Sequence, residues 1–112
     1  MNPKLELKMM PFNFGGRNEP PQQLAIGAQT SNSDIQIGLW ECGPGLLDLE
    51  FQWSETVYVL EGRAEVQNLD TSECFEMTPG KMHLFEAGSR WQWRIPWRFK
   101  KVFTIIDRPS TQ

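Results

Sequence analysis

After residue 34, apolar and polar residues alternate with period two. In LLDLEFQW, Leu47, Leu49, Phe51 and Trp53 share one parity, and Asp48, Glu50 and Gln52 share the other. A strand here turns one face to a core and the other to water, because side chains alternate across a strand. RWQWRI repeats the pattern, with Trp91, Trp93 and Ile95 opposed to Arg90, Gln92 and Arg94. In ETVYVLE both parities are apolar, Val57 and Val59 against Tyr58 and Leu60, so this strand is expected to be covered on both faces; Glu55 and Glu61 share the Val57 parity. Further strands are predicted in IQIGLWE, RAEVQNL, ECFEM, MHLFE and FKKVFTII, separated by turn-forming GPG, DTS, TPGK and AGS. No segment sustains an i, i+3, i+4, i+7 apolar pattern for three turns. The pattern predicts an all-β sandwich or barrel.

Residues 1–34 read differently. PFNFGGRNEPPQQLAIGAQTSNS carries Gly-Gly, Pro-Pro and a Ser/Asn cluster, which interrupt regular backbone. An extended N-terminal arm with one short strand is predicted there, as part of one domain whose barrel covers 35–107 and whose tail is 108–112. No internal repeat or low-complexity tract is present.

Composition supports a single core. With 112 residues, 39% hydrophobic, five Trp and seven Phe, the chain fills one small domain. Its formal charge of −3 and pI near 5.1 do not favour nucleic acid or an anionic membrane as partner. MNPKLELKMM lacks the apolar run of a signal peptide, and no stretch approaches the roughly 20 apolar residues of a spanning helix. A cytoplasmic location is expected, with Cys42 and Cys74 as reduced thiols, since they lack ligand or CxxC spacing.

Two clusters admit alternative readings. RWQWRIPWRFKK, residues 90–101, interleaves basic residues with Trp, as a single-strand nucleic-acid platform does. It also suits cross-strand pairing with the acid-rich segments, where opposite charges are mildly stabilising; the short run and net acidity favour pairing. Trp40, Trp53, Trp91, Trp93 and Trp97 either wall a ligand pocket or fill the barrel.

The spacing of Glu55 and Gly62, and of Gly80, Gly88 and Trp91, resembles that of the cupin barrel. The end of the first cupin motif, a Glu six residues before a Gly, matches Glu55 and Gly62. The second motif matches Gly80, then Glu86-Ala87-Gly88, then Trp91 in the final histidine position and Ile95 in the asparagine position. The first motif's two histidine positions fall on Leu49 and Phe51, or on Asp48 and Glu50 with one more spacer residue. GLWECGPG, WSETVYVLEG and PGKMHLFEAG look most like the small single-domain cupins related to the ureidoglycine aminohydrolase cupin domain, where tryptophan commonly takes that histidine position. The resemblance implies a jelly-roll-like cupin β-barrel over residues 35 to 107.

A transition-metal site usually needs three or four converging N, O or S ligands, imidazole foremost. This chain has one histidine, His83, outside the motif positions; hence no metal and no cofactor are expected. If Glu55 points into the barrel as its cupin counterpart does, its carboxylate must be protonated, paired with a cation or hydrogen-bonded. It then serves as a structural acceptor, a ligand anchor or a general base. As an anchor, Glu55→Gln is expected to keep the fold.

The reading adopted is a homodimeric cupin binding a small polar or carbohydrate-like molecule. Its aromatic pocket is built from Glu55, Trp91, Phe51, Leu49, Trp40, Tyr58 and Trp93. Alternatives are a metal-dependent aminohydrolase-like or isomerase-like enzyme, and a non-catalytic structural or interaction barrel. No nucleic-acid or membrane partner is expected, and no catalytic residue is identified.

Overall fold

In the computed structural model, residues 7–106 are described, and they form ten antiparallel strands in two sheets. In chain order these are β1 (Met10–Phe12), β2 (Gln22–Gln29), β3 (Ile35–Cys42), β4 (Gly45–Glu50), β5 (Ser54–Gly62), β6 (Ala64–Asn68), β7 (Cys74–Met77), β8 (Met82–Phe85), β9 (Arg90–Ile95) and β10 (Phe99–Ile106). One sheet has the order β1-β2-β3-β10-β5-β8, the other β4-β9-β6-β7. Consecutive strands often lie in different sheets, so the chain wraps as a jelly roll around a core between them.

The alternating residues supply that core. Leu47 and Leu49 from β4, Val57 and Val59 from β5, Trp91, Trp93 and Ile95 from β9 and Phe99 and Phe103 from β10 are buried. The basic strand β9 lies between acid-bearing β4 and β6. Arg94 pairs with Glu65 at 2.8 Å, and Arg90 with Asp70 at 2.8 Å. Since Trp91 and Trp93 turn inward, the stacking faces are on the side opposite the arginines.

Several expectations are corrected. The N-terminal arm contributes two strands, and β2 is an eight-residue member of the large sheet, pairing with β3. Strand β4 ends at Glu50, so Trp53 leaves the alternation and is exposed; Trp97 is also exposed. Tyr58 and Leu60 are exposed on the outer face of β5 in the single chain. Glu61 departs from the Val59 parity because of a bulge: Lys100 pairs with Glu61 and Lys101 with Val59. The extra residue turns Glu61 outward, where Arg98 binds it. The expected tail, 108–112, lies outside the described residues.

Candidate functional site

Glu55 is the second residue of β5, on the inward parity, and Lys101 sits mid-β10 between Phe99 and Phe103, also inward. Their side chains meet inside the barrel, Lys101 Nζ donating to Glu55 Oε2 at 2.5 Å. Residue exposure is 9% for Glu55 and 5% for Lys101, so the two charges largely replace solvent for one another. The ammonium also lies 4.8 Å from the ring centres of both Trp40 and Trp93, and 5.7 Å from that of Phe103. Ring faces carry negative charge density, so this cage holds a cation.

A cavity of about 520 Å³ opens over the pair. Its walls include Phe12, Phe14, Trp40, Phe51, Trp53 and Phe103, with Glu55 and Lys101 at the buried pair and Gln36, Asp48, Glu50 and Gln52 as further polar residues. Aromatic walls that carry placed polar groups are a common make-up of a small-molecule site.

Of the residues expected in a pocket, Glu55, Phe51, Leu49 and Trp40 line this cavity together. Trp93 is fully buried beside it and contacts the Lys101 ammonium. Its indole N–H has no hydrogen-bond partner among the described residues. Trp91 belongs to the same core but does not line the cavity: Phe85 stacks on Phe51 at 4.9 Å and stands edge-on to Trp91 at 4.9 Å. Trp91 donates to Ser89 Oγ at 3.0 Å. Tyr58 is outside, because its parity is opposite to that of Glu55.

Lys101 escaped the sequence reading. The signal was present: in FKKVFTII it is the charged residue on the parity of Phe99, Phe103 and Ile105. Phe12 and Phe14 gave no comparable signal, since their place depends on how the arm folds back.

The other reactive groups are set aside from this site. Burial pushes the Cys42 thiol up to about 12, with Glu19 adding to the effect, so it is not a thiolate nucleophile at neutral pH. His83 stacks on Phe75 at 4.3 Å and Phe85 at 4.7 Å. Burial holds it below the ordinary imidazole range, against the opposing charge of Glu73. Cys42 and Cys74 are free thiols.

Residues 30–103 match the EutQ-like cupin domain family. The chain belongs to that family. Among solved structures, this cupin is similar to ethanolamine utilization protein Q (EutQ) from Salmonella typhimurium LT2. That match has TM-score 0.71 and 13% identity, covering 96% of this chain and 100% of that one. It also resembles a cupin superfamily protein from Desulfitobacterium hafniense DCB-2, with TM-score 0.67 and 16% identity over 83% of this chain and 84% of the other. A DUF861 family protein from Thermotoga maritima matches with TM-score 0.58 and 26% identity, covering 61% of this chain and 76% of that one. No curated protein matches the chain by sequence. None of these matches carries the ureidoglycine aminohydrolase name, so that finer likeness rests on the sequence motifs.

Many cupins hold a metal at the motif positions, and the residues here do not fit one. Leu49, Phe51 and Trp91 supply no ligand atom, Asp48 and Glu50 are on the exposed parity of β4, and Glu55 is engaged by an ammonium. Among the described residues no three His, Cys, Asp or Glu side chains converge as a ligand set.

Proposed function

We propose that this cupin binds a small polar organic molecule in the aromatic cavity, with the Glu55–Lys101 pair in the place where a related barrel would hold a metal. The observation that carries the reading is a buried ion pair forming part of the wall of a cavity of about 520 Å³. Buried charges are costly unless paired, and a pair left facing a cavity offers directed donors and acceptors to a ligand. Trp40, Phe51 and Trp53 supply flat apolar surface for a ring or a sugar face.

The test has two measurements. Elemental analysis after dialysis is expected to find far less than one transition metal per chain. A library of small polar compounds is expected to contain hits that raise the melting temperature and alter Trp fluorescence, both effects weakening in Phe51→Ala. A stoichiometric metal whose removal by chelator lowers the melting temperature overturns the metal-free reading. Hits indifferent to Phe51→Ala place the binding site elsewhere.

We further propose that the protein works as a homodimer joined through the outer face of the large sheet. By register, Leu39, Val102, Tyr58 and Met82 form one row across β3, β10, β5 and β8, and Ile37, Thr104, Thr56 and Leu84 the next. This face is opposite the side chains that line the cavity.

A further inference from the structure

Among the described residues, strand β4 is an edge: it pairs with β9 on one side alone. In an antiparallel pair, alternate residues bond to the partner, and the residues between them point their N–H and C=O the other way. The phase is set by Phe51, whose N–H donates to the Ser89 carbonyl at 3.0 Å. Leu47 and Leu49 therefore bond toward β9, whereas the backbone groups of Asp48 and Glu50 point away from it. Among the described residues, no turn, loop or side-chain hydrogen bond reaches the N–H or C=O of either residue. Both line the cavity. The Asp48 side chain is on the outer face, accepting from Gln92 at 3.2 Å, so its backbone is what faces the cavity. An unpaired strand edge thus borders an aromatic cavity.

We propose that this edge takes the backbone of a short extended peptide, a ligand class that rests on the reading of the cavity as a binding site. Unpaired edges bind extended peptides by strand addition, main-chain bonds giving affinity and alternate side chains giving selectivity. The peptide residues opposite Asp48 and Glu50 exchange N–H···O=C bonds with them. The residue between, opposite Leu49, sends its side chain inward toward Phe51 and Trp40, so it is apolar. The two flanking side chains lie on the outer face beside Asp48 and Glu50. Among the described residues neither acid makes a direct ion pair: Arg94 is engaged by Glu65, and Arg90, which stands opposite Glu50 and feels its charge, is bonded to Asp70. Opposite charges across a strand pair are favoured, so the flanking residues are Lys or Arg. The ligand pattern is basic, apolar, basic.

The probe is acetyl-Lys-Phe-Lys-amide, titrated against the full chain with Trp fluorescence as readout. Methylating the backbone nitrogen of either Lys removes a donor to β4 and is expected to weaken binding about ten-fold, as for one lost hydrogen bond. Methylating the Phe nitrogen, which points away from β4, is expected to do much less. Acetyl-Glu-Phe-Glu-amide is expected to bind more weakly than the Lys peptide. Glu50→Pro deletes the edge N–H where an edge strand tolerates proline, and is expected to keep the circular dichroism of the parent while losing the peptide. Equal binding of the Lys-methylated peptides, or no binding of the parent peptide, overturns the proposal. In either case, library hits that bind through Phe51, indifferent to Glu50→Pro, leave the cavity reading standing; the absence of any hit removes both.

Discussion

A carboxylate and an ammonium share the barrel interior, and each is tolerable because of the other. Removing one partner of a buried pair leaves an uncompensated charge and typically costs about 3 to 5 kcal/mol, whereas replacing both with neutral groups is often harmless. Lys101→Met is therefore expected to lower the melting temperature by roughly 10 °C or more, given about 4 to 8 °C per kcal/mol in a domain near this size. Glu55→Gln has the same sign, because Lys101 then faces a neutral amide; this reverses the expectation from the sequence, in which nothing marks Lys101 as the partner. The double variant Glu55→Gln/Lys101→Met is expected to recover most of the loss. Additive losses in thermal unfolding would show that the two residues act independently. His83 gives a pH-dependent counterpart. Its folded pKa lies below the unfolded value because burial disfavours the imidazolium, so the unfolded chain binds the proton more readily. The stability contributed by neutral His83 is present above about pH 6.5 and is lost as pH falls through the folded pKa. His83→Phe, which suits the cluster of Phe75, Phe85 and Trp91, is expected to show a smaller fall in melting temperature between pH 7 and pH 5 than the parent. An unchanged fall would assign the acid sensitivity to carboxylates.

The β5–β6 junction turns on Gly62, the glycine that closes the first cupin motif. Its φ is +80°, and a Cβ there would collide with the Arg98 carbonyl oxygen. Gly80 has a similar φ of +88°, with nothing among the described residues within 4 Å of that position. Left-handed backbone alone costs a non-glycine residue about 1 to 2 kcal/mol. Gly80→Ala is expected to lose about that much, and Gly62→Ala clearly more, because a main-chain oxygen cannot swing aside. Urea unfolding of the two variants separates strain from collision, and equal losses would refute the distinction. The same framework explains how far the elements were legible. Eight strands, β3 to β10, stand out in the sequence because bulky residues alternate with polar ones between strong turn formers. Strand β2 is obscured: Ala25, Gly27 and Ala28 carry little apolar bulk, and Pro20-Pro21 precedes it. A register shift between Ile26 and Ala28 also breaks its period. For the site, parity put Leu49 and Phe51 on the core face, but Glu55 lies on a strand apolar on both parities, and no local signal pairs it with a lysine 46 positions later. That contact comes from sheet order, which brings β10 beside β5. Tyr58 failed as a pocket residue for a related reason, since a strand with two apolar parities does not say which one faces the cavity.

Taken as a whole, the molecule leaves one broad apolar face without a partner in the single chain. Among the described residues, Met82 is 75% exposed, and Ile35, Ile37, Tyr58, Leu60, Leu84 and Ile106 are also exposed. Monomers rarely expose contiguous apolar patches beyond a few hundred Å². Four strands about 4.8 Å apart, each with two or three outward positions, span a footprint of roughly 300 to 400 Å². That footprint supplies the apolar centre of a standard interface of about 800 Å² per partner. A second copy suits it because the face is a sheet that can meet itself across a two-fold axis, each apolar row lying on its counterpart. The charged row at one end, where Lys100 lies between Glu41 and Glu61, stays at the rim. Such a dimer also gives β5 the second apolar cover that its sequence calls for. Light scattering after gel filtration at micromolar concentration is expected to give about twice the 13.0 kDa chain mass. Met82→Glu combined with Leu84→Lys, both on the outer parity of edge strand β8, is expected to give a folded monomer. Charges set among apolar rows resist desolvation in the contact but are solvated on a free surface. A parent that elutes as a monomer at all concentrations would refute the dimer, and a double variant that stays dimeric would move the interface to another face.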